Sequence, residues 1–239
     1  MKVYLYMMRK TYSNKTMPTS KRWKKYIGLT GILFLFPLTW LLVFGLGAKH
    51  KFNTLKYFEP TSEGPKDYSD YSIPSFVFQD ENGNAFSSDS LNGKVWLACF
   101  FSLKDEHAKD ITERLLSINF KYRNEPDIMI VCFSTDCSYD TPTMLKAYVD
   151  QNERYNEFNG KWKFLTGDQV SMQSFIRNGF FAEDLSQEAR FRLVDNVGHV
   201  RGMYGNTEFH LKAALEDISL LKKEIDLKAY NERKAKENS

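Results

Sequence analysis

The fold is decided by residues 94–101, KVWLACFF, in which seven consecutive apolar residues follow one lysine. An unbroken apolar run of this length is typical of a β-strand that is covered on both faces. A second run, IMIVCF, occupies residues 128–133. Between the two runs, Ile111, Leu115 and Ile118 recur at helical spacing. The order strand, helix, strand predicts two parallel neighbours joined by a right-handed crossover.

Shorter elements surround this unit. Residues 73–78 alternate like a half-buried strand, and a turn is expected at residues 81–84. A second helix is expected to begin with Thr141 as its cap and Pro142 at its first position. Two more short strands and an amphipathic C-terminal helix complete the pattern, at residues 162–165, 191–195 and 211–225. The succession predicts an α/β domain with a central sheet flanked by helices.

A membrane anchor is predicted before this domain. Residues 27–47 hold no charged side chain in 21 positions, close to the roughly 20 apolar residues that a helix needs to cross the hydrocarbon core. A cleaved signal peptide is the alternative, but its apolar core is roughly 7–15 residues long and ends at a small-x-small site. We therefore predict a transmembrane helix at residues 26–48, with the basic residues 1–25 in the cytoplasm by the positive-inside rule. In a bacterium, this arrangement is a single-pass protein of the inner membrane whose C-terminal domain is periplasmic.

The charge distribution limits the partners of the folded part. The chain carries 33 basic and 30 acidic residues, and eight of the basic ones lie in residues 1–25, where no acidic residue occurs. The remaining 214 residues therefore carry a net charge of −5, which argues against nucleic-acid binding because that function needs a basic surface. No motif indicates a small-molecule substrate. The composition shifts predict a linker at residues 49–71, the folded domain at 72–228 and a flexible tail at 229–239.

Four short motifs occur in order along the domain. They are Phe101-Ser102, Asp136-x-x-x-Asp140-Thr141-Pro142, Trp162-Lys163-Phe164-Leu165-Thr166-Gly167 and Leu193-Val194-Asp195-x-x-Gly198-x-x-Arg201-Gly202. Together, over residues 72–225, they resemble the SCO/SenC family. The resemblance implies a thioredoxin-like fold, a single membrane anchor and a role as a copper chaperone in the assembly of cytochrome c oxidase.

The copper ligands that the resemblance implies are not retained. In the family they are the two cysteines of a Cys-x-x-x-Cys loop after the first buried strand and one distant histidine, and thiolates with imidazole suit copper. Their positions correspond to Lys104, Ala108 and Gln187. A protonated lysine offers no lone pair to a metal, and a loop without two thiols cannot carry out disulfide exchange. We therefore expect no copper, no other cofactor and no catalytic residue at these positions.

Other donors leave an alternative open. Cys137 and His107 would contribute to a rearranged metal site if the fold brought them together with a carboxylate, whereas the simpler interpretation is a loop thiol and an exposed side chain at a helix start. Cys99 and Cys132 lie within apolar runs and are expected to be small buried residues. A Cys132–Cys137 disulfide would require a core-facing side chain to turn towards a loop. His199, which follows a turn, is expected at the surface.

The retained motifs and the lost ligands together lead to one expectation. The chain is expected to be an accessory or structural factor in the assembly of respiratory cytochrome oxidase, or a partner in the mature complex, and not an enzyme. Its expected partners are the membrane and oxidase subunits or assembly factors. A copper chaperone that uses Cys137 and His107 is the first alternative. A peroxiredoxin-like thiol-redox enzyme that uses Cys137 alone is the second.

Overall fold

The computed structural model describes residues 54–58, 71–151, 160–180, 182 and 190–237, together with residues 31, 33 and 37–40. The chain forms two compact units, Met1–Phe52 and Asn53–Ser239. The six described residues of the first unit are helical. Within the described residues, no helix combines the length and the apolar character needed to cross a membrane. Most of the predicted span at 26–48 lies outside the described residues, as does Gln187.

The described part of the second unit contains one mixed sheet with helices on both faces. Its strands are β1 (Val77–Asp80), β2 (Ala85–Ser87), β3 (Val95–Phe101), β4 (Ile128–Ser134), β5 (Trp162–Thr166), β6 (Phe191–Val194) and β7 (Val200–Tyr204). The helices are α1 (Ala108–Lys121), α2 (Pro142–Asp150), α3 (Gln169–Phe180) and α4 (Glu208–Glu237), and a short 3-10 helix covers Ser88–Leu91. The strand order across the sheet is β2-β1-β5-β4-β3-β6-β7.

The centre of the sheet confirms the predicted parallel unit. β3 runs parallel to β4, with Val95 opposite Ile128 and Phe101 opposite Ser134. β5 is parallel to β4 on its other side, whereas β1 and β6 are antiparallel to their neighbours. Every residue of β3 and β4 is buried, as the two unbroken apolar runs predict. The carboxyl ends of β3, β4 and β5 therefore meet at one edge of the sheet, and the loops that follow β3 and β4 lie together there.

Each face of the sheet has its own core because successive side chains of a strand point to opposite faces. On one face, Leu97, Cys99 and Cys132 belong to a cluster that includes residues of α1, α2 and α4. On the other face, Trp96 and Phe133 belong to a cluster that includes residues of α3. Phe133 is fully buried, and its ring centroid lies 5.4 Å from each of three other rings, those of Phe76, Phe175 and Phe180.

Several local predictions are confirmed. Thr141 caps α2, because its side chain accepts a hydrogen bond from the amide of Met144, and Pro142 is the first helical residue. The turn expected at residues 81–84 joins β1 to β2, and Gly83 adopts a φ of 78° there, a conformation that favours glycine.

Three elements differ from the prediction. α3 was not expected, although Met172, Ile176 and Phe180 have helical spacing and are buried. β7 was not expected because Arg201 and Gly202 are not typical strand residues. β2 was not expected either, and it is only three residues long. The tail expected at 229–239 is helical and exposed over its described part, since α4 continues to Glu237.

The linker expected at 49–71 is corrected over its described part. Residues 54–58 lie against the domain, where the amide of Phe58 donates a hydrogen bond to the carbonyl of Val200 at 2.9 Å. Leu55 packs on the first core cluster and Phe58 on the second. This segment is therefore part of the folded unit.

Candidate functional site

The loop that follows β3 carries the two positions at which the resemblance places cysteine ligands. Lys104 projects from this loop towards the loop after β4, and its Nζ lies 3.0 Å from Oδ2 of Asp136. The same ammonium lies 4.4 Å from the ring centroid of Tyr139, a distance at which a cation is attracted to an aromatic face. Ala108 is the first residue of α1 and is buried. An ion pair and a methyl group thus occupy these two positions.

A buried carboxylate joins the two loops behind this ion pair. Asp140 is fully buried and accepts a hydrogen bond from the amide of Leu103 at 3.0 Å. It also accepts hydrogen bonds from the hydroxyls of Ser134 at 2.6 Å and Ser102 at 3.3 Å. Burial raises the pKa of Asp140 above its ordinary value in spite of these donors. The Asp140 carboxylate therefore connects the end of β3, the end of β4 and the start of α2.

Contacts within its own loop orient the Asp136 side chain towards Lys104. Its Oδ1 accepts hydrogen bonds from the hydroxyl of Ser138 at 2.5 Å and from the amide of Tyr139 at 3.3 Å. Hydrogen bonds from Ser138 and Lys104 lower the pKa of Asp136. The carboxylate is therefore ionised at neutral pH and oriented towards the ammonium.

A second ion pair attaches the loop to the other side of β3. Oδ2 of Asp105 lies 2.6 Å from Nη2 of Arg190, and both side chains are only 12% exposed. Oδ1 of Asp105 accepts a hydrogen bond from the amide of His107 at 3.0 Å. Nη1 of Arg190 donates a hydrogen bond to the carbonyl of Phe100 at 3.3 Å. The sequence did not identify this pair, because 85 positions separate its members.

The structure does not bring the predicted substitute ligands together. His107 is partly exposed at the start of α1, with Nε2 3.2 Å from Glu106 and Nδ1 3.9 Å from Asp110. Cys137 is buried within the cluster on the α3 face, where its amide donates to Gln169 and its Sγ lies 3.7 Å from the carbonyl of Ser134. In the described ranges, no three His, Cys, Asp or Glu side chains are grouped so that they could hold a metal ion.

The other two cysteines lie where the apolar runs place them. Cys99 and Cys132 are fully buried and directly opposite each other on β3 and β4. The indole Nε1 of Trp162 is 3.0 Å from Sγ of Cys132. Burial, with a smaller contribution from Cys132, raises the pKa of the Cys99 thiol. All three cysteines are free thiols, so Cys132 and Cys137 are not paired.

The motif at the end of β6 has a structural role. Oδ1 of Asp195 accepts the amides of Val197 and His199, which closes the turn before β7. Oδ2 of Asp195 lies 3.1 Å from Nη1 of Arg201 and 3.1 Å from Nδ1 of His199. The side chain of His199 is 16% exposed, so it is partly buried, whereas the sequence predicts a surface position. The carboxylate four residues earlier in the same turn was the signal that could have indicated this contact.

Open space borders the site on the β5 side. A groove of about 560 Å³ is lined by Cys137, Thr141 and Asp168, together with residues of β1 and β2. Asp168 caps α3 through Oδ2, which accepts both the amide and the hydroxyl of Ser171 at 2.8 Å. Hydrogen bonds from Ser171 lower the pKa of Asp168.

Comparison with known proteins identifies the family. The SCO1/SenC family model matches residues 65–219. The SCO1 protein homolog of Bacillus subtilis (strain 168) is 29% identical over 160 residues, which cover 60% of this chain and 78% of that protein. Because the family match extends over more than half of the chain, the relationship does not depend on a single motif.

Solved structures share the fold. BsSco, described as a member of the Sco family of cytochrome c oxidase assembly proteins, has a TM-score of 0.52 at 26% identity, covering 62% of this chain and 92% of its own. A SCO1/SenC family lipoprotein from Bacillus anthracis str. Ames has a TM-score of 0.53 at 23% identity, covering 64% of this chain and 96% of its own. The α/β domain thus has the thioredoxin-like fold that the resemblance implied. Taken with the family match, this likeness shows that the chain belongs to the SCO1/SenC family.

Proposed function

We propose that this protein is a membrane-anchored accessory or structural factor in the assembly of respiratory cytochrome oxidase, and that it acts without binding copper. The observation that carries the proposal is the ion pair between Lys104 and Asp136, at 3.0 Å. It occupies the place where the family resemblance puts a thiolate ligand. An ammonium cannot donate electrons to a metal, and its charge repels a cation.

The residues at the family ligand positions do not fit a copper ion. The methyl group of Ala108 offers no donor atom, and Lys104 already neutralises the carboxylate of Asp136. The two loops are also joined without an ion, because Asp140 accepts donors from both of them. A metal would therefore have to displace an ion pair and would gain no soft ligand in return.

A role in oxidase assembly is supported by the family relationship. The relative BsSco is described as a member of a family of cytochrome c oxidase assembly proteins, and we extend that role to this chain. The uncharged stretch at residues 27–47 and the basic residues before it support an anchor in the bacterial inner membrane with the domain in the periplasm. The partners are then oxidase subunits or assembly factors in the same membrane.

The two alternatives find less support. A rearranged copper site would need His107 and Cys137 on one ion. The described contacts of the His107 imidazole are instead with Glu106 and Asp110, whereas Cys137 lies in the core cluster on the α3 face. A peroxidatic cysteine needs a stabilised thiolate, but Cys137 is buried and its Sγ is directed at a carbonyl oxygen.

Copper titration of the full-length protein in detergent tests the non-metal part of the proposal. We expect the wild-type protein to bind no stoichiometric Cu(I). The double variant Lys104→Cys, Ala108→Cys should gain one equivalent because it restores two thiolates on one loop. The matched control, Lys104→Ser with Ala108→Ser, removes the ammonium equally but adds no thiol, and should not bind.

Stoichiometric Cu(I) binding by the wild-type protein would contradict this part of the proposal. If that binding disappears in both His107→Ala and Cys137→Ala, the result supports the rearranged site. The partner part is tested separately by copurification from detergent-solubilised membranes, where oxidase subunits or assembly factors are expected in the eluate. Their absence from the eluate would mean that the assembly role is wrong.

A further inference from the structure

We propose that residues 54–58 form a detachable strap, held on the domain by Arg201 and Glu224. The strap lies between the start of β7 and the second half of α4. It is the first described part of the second unit, so it connects the domain to everything that precedes it in the chain.

Arg201 contacts three of the five strap residues. Its Nη2 donates to the carbonyl of Leu55 at 2.9 Å, and its Nε donates to the carbonyl of Lys56 at 3.3 Å. Its guanidinium carbon lies 4.0 Å from the ring centroid of Tyr57. One planar side chain therefore contacts three consecutive strap residues, which a lysine could not do because it lacks the rigid fork of donors.

Glu224 of α4 completes the clamp. Nη2 of Arg201 lies 2.8 Å from Oε1 of Glu224, and Oε2 of Glu224 accepts the amide of Leu55 at 3.4 Å. The one described backbone bond between the strap and the sheet joins the amide of Phe58 to the carbonyl of Val200. The polar attachment of the strap thus centres on the ion pair between Arg201 and Glu224. Leu55 and Phe58 add apolar packing against the two core clusters.

The charges of the clamp remain compensated when the strap leaves. Arg201 would keep two carboxylates, those of Glu224 and of Asp195, whose Oδ2 lies 3.1 Å from Nη1. None of the five strap residues is fully buried, and water can replace the partners of their backbone groups. Detachment therefore leaves no buried charge without a partner. An unpaired buried charge is what makes the loss of a buried ion pair strongly destabilising. The rest of the domain can stay folded while the strap is released.

Release would have two consequences. The ring of Tyr57 would leave the edge of His199, whose ring centroid is now 5.3 Å away, and would open a neighbouring cavity of about 250 Å³. At least the five strap residues would also join the tether, and five extended residues span about 17 Å. Under the anchored arrangement proposed above, on which this second consequence rests, docking of the strap limits how far the domain extends from the membrane.

Hydrogen exchange of the full-length protein in detergent, followed by mass spectrometry, tests the strap. The informative amides are those of Leu55 and Phe58, which are both hydrogen-bonded in the docked state. In the wild-type protein they should exchange more slowly than in an unstructured peptide but faster than the amides of β3. Tyr57→Ala removes the ring but leaves the clamp intact, and should accelerate their exchange roughly tenfold, the equivalent of one cation–π contact.

Two further variants give the control and the confirmation. Glu224→Gln weakens the clamp itself and should also accelerate exchange at Leu55 and Phe58, with β3 unchanged. Glu232→Gln, which borders the same cavity and has no described contact with the strap, should behave like the wild type. The proposal is overturned if strap and β3 amides accelerate together in Tyr57→Ala, because the strap would then open only with the whole domain. It is equally overturned if the wild-type strap exchanges like an unstructured peptide. Neither readout depends on copper or on oxidase subunits.

Discussion

Replacement of Asp140 should separate the cost of losing its hydrogen bonds from the cost of burying its charge. In Asp140→Ala, the amide of Leu103 and the hydroxyl of Ser134 lose their acceptor. Each buried donor left without a partner costs about 1–3 kcal/mol. Removal of a buried charge offsets part of that loss, so we expect Asp140→Ala to lower the free energy of unfolding by about 3 kcal/mol.

Asp140→Asn should be far milder. The amide oxygen can still accept the proton of Leu103, and the amide nitrogen can donate to the hydroxyl of Ser134. We expect the free energy of unfolding at pH 7 to change by no more than about 1 kcal/mol. The variant also has no charge to bury, so its dependence on pH should differ from that of the wild type.

The sign of that pH dependence follows from the raised pKa of Asp140. A carboxyl whose pKa is raised by folding binds its proton more tightly in the native state, so its contribution to stability is greatest below the unfolded pKa of about 4. That contribution is lost as the pH rises through the folded value. The wild type should therefore lose stability relative to Asp140→Asn between about pH 4 and neutrality.

Urea unfolding of Asn53–Ser239 between about pH 3 and 7, followed by the fluorescence of the buried Trp96 and Trp162, measures both effects. Asp168→Asn is the matched control, because the pKa of Asp168 is lowered. Here the wild type should gain stability relative to the variant as the pH rises from about 3 to 5, with little change above that range. The reasoning is refuted if Asp140→Ala unfolds like the wild type, or if the Asp140 and Asp168 differences change with pH in the same direction.

Three further substitutions probe packing and capping, each by urea or thermal unfolding. Thr141→Ala removes the hydroxyl that caps α2, which accepts a hydrogen bond from the amide of Met144 at 3.4 Å. The free energy of unfolding should fall by about 1 kcal/mol. An unchanged midpoint would show that this long hydrogen bond contributes nothing to stability. Phe133→Ala empties the centre of one core and should cost about 3–5 kcal/mol, whereas a loss below 1 kcal/mol would mean that the surrounding rings collapse into the space. Gly202→Ala places a methyl group 2.1 Å from the hydroxyl of Tyr204 and should lower the free energy of unfolding by about 1–3 kcal/mol. The loss should be smaller in a Tyr204→Ala background, which lacks that hydroxyl. Equal losses in both backgrounds would mean that the strain does not come from this contact.

Much of the fold could be predicted because its signals are local. The apolar runs of β3 and β4 and the helical spacing of Ile111, Leu115 and Ile118 indicate their structures without reference to distant residues. α3 escaped prediction although its buried residues have helical spacing, and β7 escaped because its strand pairing includes Arg201 and Gly202. A strand of that composition is stable only because a neighbour and a covering helix are already in place.

The candidate site was likewise predicted only where the signal in the sequence is local. Lys104 and Ala108 could be assigned to lost ligand positions because they stand at a fixed distance after a recognisable strand. The sequence offers no signal that Lys104 would meet Asp136, 32 positions away, or that Asp105 would meet Arg190. His199 was expected at the surface because the sequence gives no signal of its contact with the distant ring of Tyr57.

The sequence by itself therefore determined the class of fold, the parallel centre of the sheet and the absence of the two loop cysteines. All three are properties of residue type and short spacing, which the printed sequence shows directly. Only the tertiary structure decided that an ion pair fills one ligand position, that Cys137 and His107 stay apart, and that residues 54–58 dock under Arg201. Those outcomes depend on where strand register and chain crossovers bring residues that are far apart in the chain, and no local pattern of residue types encodes that.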